Sequence, residues 1–231
     1  MRLIAAAGSA DMQAALSHPY VKTIVTTLLQ LQDRNFFRLV TQFLKQDEQG
    51  NTTKFEQDLV FLRGYYRRKP NAEGLITTPP HVDILAQTLQ DLYQQDERKV
   101  RYQRGAILEL FVRNLICPRY KSSECAGNQR FIDERGRNIT DQVDVAALSH
   151  EQRQIEGYEC KIKAAGIESV DCTNLIALVQ AAQERDYQVN VGIVSFDNDW
   201  LVKSRLKHFE VPSSVKPYGL DSIEVLRKNP F

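Results

Sequence analysis

Four charged side chains set the chemical question of this chain. In "IEGYECKIKAAG" the apolar residues alternate, so a strand there would point Glu159 and Lys161, two positions apart, to one face. Burying such a pair is costly unless another group shares the site. A second alternating stretch, "DQVDVAAL", puts Val143, Val145 and Ala147 on one side and Asp144 on the other. The polar link "SHEQRQ" is centred between Glu151 and Gln152, and a hairpin symmetric about that point sets Asp144 directly across from Glu159. Two facing carboxylates repel, and a divalent cation would relieve the conflict. A hard cation such as Mg²⁺ would find a half-shell in Asp144, Glu159 and the backbone carbonyl of Cys160. Lys161 would then be left to orient or deprotonate an attacking water, or to stabilise charge building on a phosphate.

A further acid comes from the preceding helix. In "GAILELFV" Glu109 is surrounded by apolar residues, and Gly105, one turn earlier, leaves room for close approach on that side. Each group also has a plainer reading. Asp144, Glu159 and Lys161 fit a solvent-facing ion-pair cluster, Glu109 an exposed helix position, and Lys163 and Gln180 either substrate contact or ordinary surface. The run "FLRGYYRRKP" fits a nucleic-acid patch or a solvated helix end.

The elements that must position these residues change character along the chain. Up to about residue 116 the pattern is helical: "PYVKTIVTTLLQLQDRNFFRLVTQFLKQ" carries apolar residues at helical spacing on both sides of a break at Asp33, and "KFEQDLVFLRGYYRR", "HVDILAQTLQDLYQQ" and "YQRGAILELFVRNLI" continue it. Loops are expected in "QDEQGN" and "RKPNAEGLITTPP". From Pro118 the period becomes two, and "RFIDERGR", "DQVDVAAL" and "IEGYECKIKA" predict a mostly antiparallel meander. A helix in "TNLIALVQAAQERD", a buried strand in "VNVGIVSF" and a helix in "NDWLVKSRLKHF" follow. The expected fold is α/β with a central mixed sheet, and the expected division is a helical region over residues 1–98 and an α/β domain over 99–231.

Composition narrows the partners little. The chain has 231 residues and a formal net charge of +1, so nucleic-acid binding would have to come from local patches. No apolar run nears the ~18 residues of a membrane span, and a cytoplasmic protein is expected. Cys117, Cys125, Cys160 and Cys172 form no CxxC pair, and no two histidines stand at helical spacing. Free, partly buried thiols are therefore expected.

Glu109 on a helix, Asp144 on a strand and Glu159-Cys160-Lys161 on the next together resemble the PD-(D/E)XK nuclease superfamily. The resemblance covers roughly residues 100 to 196. It implies a restriction-endonuclease-like αβββαβ core and Mg²⁺- or Mn²⁺-dependent hydrolysis of phosphodiester bonds, in DNA more than RNA. Asp144 and Glu159 would be metal ligands, Lys161 the catalytic lysine and Glu109 the helix acid that many members add. Val143 stands where the family name records a proline. A RecB-like subgroup places a Gln and a Tyr one turn apart on the following helix, which makes Gln183, four before Tyr187, an alternative to Gln180. The expectation is a metal-dependent DNA endonuclease, acting alone or as a symmetric homodimer. The alternatives are a non-catalytic nucleic-acid- or protein-binding module on the same fold, and a helical assembly protein whose first 100 residues do the work.

Overall fold

Near Pro118, where the sequence period changes, helices give way to a sheet. The computed structural model describes residues 1–46, 52–65 and 79–231. Most of both expected long loops and the basic end of "FLRGYYRRKP" lie outside the described residues. The first element is a strand, β1 (Arg2–Ala5), followed by helices α1 (Ala10–Ser17), α2 (Pro19–Gln30), α3 (Arg34–Leu44), α4 (Thr52–Gly64), α5 (Pro80–Tyr93) and α6 (Glu97–Ile116). Then come β2 (Cys125–Ile132), β3 (Val143–Ser149), β4 (Gln154–Lys161), α7 (Ser169–Gln183), β5 (Gln188–Ser195), α8 (Asp199–His208) and β6 (Val215–Tyr218).

The chain forms two compact units, one of residues 10–107 and one of residues 1–9 with 108–231. In the helical unit the break at Asp33 is a cap: its carboxylate accepts the amides of Asn35 at 2.9 Å and Phe36 at 3.1 Å, which starts α3. The helix then buries Phe36, Val40, Phe43 and Leu44 along one stripe. Gly105, expected to leave room beside Glu109, has Met12 of α1 as the nearest neighbour of the side chain it lacks.

The second unit is built on one mixed six-stranded sheet with its strands in sequence order. Strands β1 to β4 pair antiparallel, and β4, β5 and β6 pair parallel. The parallel β4–β5 pair requires a crossover, and α7 supplies it, laying Leu175, Leu178 and Ala182 on the sheet. From α6 to β5 the element order is α-β-β-β-α-β, as the residue pattern predicts.

Three expectations need correction. The N-terminal region is not wholly helical, because Arg2–Ala5 pairs with Gln129–Ile132 as a sheet strand. The expected boundary at 98/99 falls within α6, and residues 1–9 belong with the sheet. Cys117 and Cys125 are not free thiols: they are joined across the turn after α6, with Cα atoms 5.4 Å apart, while Cys160 and Cys172 are free and buried. Among the described residues no helix is long and apolar enough to cross a membrane.

Candidate active site

The site grows out of the way β3 and β4 part. Their ladder runs from Ser149 opposite Gln154 to Val145 opposite Tyr158 and stops there. One step further the same register brings Asp144 to Glu159, as the symmetric loop predicts. Beyond the ladder the Cys160 amide turns to a side chain, donating to Asp144 Oδ2 at 2.8 Å. On its other edge β4 stays paired with β5 as far as Lys161 opposite Ser195. The end of β4 is therefore held rigidly on one side and open on the other.

Alternation fixes which face the charges occupy. A Cβ at Gly157 would lie 2.7 Å from Leu178 of α7, so this face of β4 lies under α7. Glu159 and Lys161, two and four positions on, share it. The crossover returns the first turn of α7 to the same corner, where Lys161 Nζ meets Asp171 Oδ1 at 2.8 Å. Asp171 Oδ2 accepts the amide of Glu168 at 2.8 Å, half of a reciprocal capping box that opens α7.

Around one ammonium thus stand four carboxyls: Asp144, Glu159, Asp171 and, from α6, Glu109. All four acids are buried, with Glu159 4% and Glu109 6% exposed. Burial pushes the Glu109 carboxyl well above the usual carboxylate range, and the charge of Asp144 adds to the effect. Glu159 is raised well above that range too, by burial first and then by Asp144 and Asp171. Asp144 is also raised by burial, although the Cys160 amide opposes the shift. Burial alone would lower Lys161, but the bond to Asp171 and the surrounding carboxylates outweigh it and keep the ammonium charged.

Two oxygens in this cluster lack any partner among the described residues: Glu109 Oε2 and Glu159 Oε1. A buried polar atom left unsatisfied costs about 1–3 kcal/mol, so these two oxygens have bonding capacity that the described residues do not fill. The donors suit a hard cation, being carboxylate oxygens in excess over positive charge. Among the described residues, however, no three His, Cys, Asp or Glu side chains stand as a ready-made cage. That leaves two facing carboxyls and backbone, and Mg²⁺ characteristically takes one or two carboxylates and fills its remaining positions with water and phosphate.

The structure brings together Glu109, Asp144, Glu159 and Lys161 but not the remaining candidates. Lys163 is half-buried just past β4, within two residues of the cluster. Gln180 and Gln183 are exposed, and at 1.5 Å per residue they lie ~13 and ~18 Å along α7 from Asp171. Tyr187, which the alternative assignment paired with Gln183, meets His150 at 2.7 Å in the β3–β4 turn, the opposite end of the hairpin. Both glutamines therefore lie away from the carboxyl cluster. Lys161 is not left free either, since Asp171 holds it.

Sequence reasoning missed Asp171. The available signal was its place in the first turn of the helix after β4, because a helix crossing between parallel strands starts where the first strand ends. No protein-family model matches the sequence, and no curated protein matches it.

Proposed function

We propose that the sheet unit is a metal-dependent nuclease of the restriction-endonuclease-like kind, hydrolysing phosphodiester bonds and acting on DNA in preference to RNA. The observation that carries this reading is the apposition of Asp144 and Glu159 where the β3–β4 ladder ends, with a Glu159 oxygen buried and unpartnered beside Lys161. Asp144, Glu159 and the Cys160 carbonyl would hold Mg²⁺ or Mn²⁺, with Glu109 as an additional acid. A bound ion would supply Lewis acidity toward the scissile phosphate and lower the pKa of an attacking water.

The chain's own groups have distinct parts. Lys161, kept protonated, neutralises charge building on the phosphate and is ill suited to act as a base. Asp171 is a positioning residue, fixing the ammonium in place through its 2.8 Å contact. Asp144 is oriented by the Cys160 amide, so its carboxylate is held by the same strand that carries Glu159 and Lys161.

The test is cleavage of supercoiled, linear duplex and single-stranded DNA by the wild type and Lys161→Ala, with Mg²⁺, Mn²⁺ or chelator. Metal-dependent cutting by the wild type alone is expected. Equal cutting by both proteins would remove Lys161 from the site. A second reading, a non-catalytic nucleic-acid- or protein-binding module, draws on the Lys161–Asp171 ion pair, which engages the lysine within the protein. It predicts binding without turnover in every metal.

A further inference from the structure

The corner that holds Lys161 also carries the chain's single tryptophan. Ser195, opposite Lys161, ends β5, and α8 begins four residues later with Trp200 in its first turn. The corner is cross-braced: Ala164 donates to Asp197 Oδ2 at 2.8 Å, Ser195 Oγ to the Ile162 carbonyl at 3.3 Å, and Arg205 to the Ile167 carbonyl at 3.1 Å. Trp200 is nevertheless 65% exposed, and its indole has no hydrogen bond or ring contact among the described residues. An exposed tryptophan on a rigid mount needs an explanation, because burial would have gained its large apolar surface.

Helical spacing adds the second observation. Trp200, Lys203 and Lys207 stand at i, i+3 and i+7, one face of α8, while Val202 and Leu206 on the opposite face are buried. Both lysines are exposed and without an acidic partner among the described residues. Of the nearby acids, Asp197 accepts from Ala164 and Asp199 from the Asp221 amide at 3.2 Å. The outward face of α8 is therefore an aromatic platform followed by two cations ~6 Å apart along the axis.

We propose that this face is a track for single-stranded nucleic acid entering or leaving the carboxylate site, with a base stacked on Trp200 and phosphates on Lys203 and Lys207. This deepens the nuclease reading and rests on it for the direction of the strand. A stacking aromatic accepts any unpaired base and rejects paired ones, whose faces are already covered. The track thus favours single strands, frayed ends or flaps over intact duplex.

Trp200 is the only tryptophan, so fluorescence excited beyond the tyrosine absorption band reports this position alone. With chelator present to prevent turnover, the full chain is titrated with oligothymidylate, oligouridylate, blunt duplex and inorganic polyphosphate, while anisotropy of labelled oligonucleotides measures occupancy. Emission should be quenched by a single-stranded oligonucleotide and stay unmoved by duplex or polyphosphate, and comparing the two oligonucleotides tells DNA from RNA. Trp200→Ala should weaken single-strand binding about tenfold, as the loss of one stacked base requires, with Trp200→Phe recovering most of it. Replacing both lysines by alanine should lower the slope of log affinity against log salt by about 1.4.

Absent binding, unmoved emission at full occupancy, equal quenching by duplex, or wild-type affinity in Trp200→Ala each overturns the proposal. Unmoved emission alongside Lys161-dependent cleavage removes the track and leaves the nuclease standing. Quenching without metal-dependent cleavage does the reverse.

Discussion

Strand β4 buries two glutamates three positions apart, on opposite faces, and the protein treats them in opposite ways. Glu156 is 0% exposed and fully satisfied, accepting from Arg119 and from the hydroxyls of Tyr120 and Tyr158. The network continues from Tyr158 to Asn190 and on to Lys216 and Tyr218. Glu159 is 4% exposed, faces other carboxyls and keeps an oxygen without a partner among the described residues. A buried carboxyl whose bonds close within the protein is structural, whereas one whose bonds stay open is a candidate for ligand binding.

Mutations on the two faces should therefore separate stability from activity. The largest effect is expected on the closed side: Glu156→Gln breaks a buried ion pair and should cost about 3–5 kcal/mol in chemical denaturation, with normal cleavage by whatever remains folded. A loss below 1 kcal/mol would erase the contrast. On the open side Lys161→Ala and Glu159→Gln should each slow cleavage by roughly 10²–10³-fold, with little change in thermal midpoint for Glu159→Gln. A folding defect as large as that of Glu156→Gln would make Glu159 structural after all.

Metal sharpens the comparison further. Mg²⁺ or Mn²⁺ at 100 times its dissociation constant should stabilise the wild type by about 2.7 kcal/mol. Asp144→Asn should lose most of that shift and Glu156→Gln none of it. The smallest effect concerns pH in chelator. Glu109, Asp144 and Glu159 have raised pKa values, so above about pH 4 the folded state retains protons that unfolded carboxyls have already released. Stability should then fall as pH rises until the folded-state values are passed, by at most ~1.4 kcal/mol per pH unit for each retained proton. Saturating metal should flatten the fall, and so in part should Glu159→Gln. A midpoint that climbs with pH in chelator would contradict the raised values.

The hairpin was legible because its information is local. A period of two and a polar link of symmetric length suffice to set Asp144 against Glu159, and the α-β-β-β-α-β order follows from where the period changes. What escaped depends on contacts far apart in sequence. Asp171 reaches Lys161 only because α7 crosses back over the sheet, and the same crossover carries Gln180 and Gln183 away from the site. Strands β1 and β6 span four residues each, too few for alternation to stand out, and the Cys117–Cys125 link has no spacing motif to announce it.

The pairing of β1 with β2 has one more consequence. The chain enters the sheet unit, leaves it after Ser9 and returns at Leu108, so the helices between are an insertion rather than an N-terminal extension. Trimming the chain from its start to isolate the sheet unit would strip the edge strand and leave β2 with a bare row of amides and carbonyls, an invitation to aggregate. The sheet unit is better isolated by internal excision, with a flexible linker joining residue 9 to residue 108.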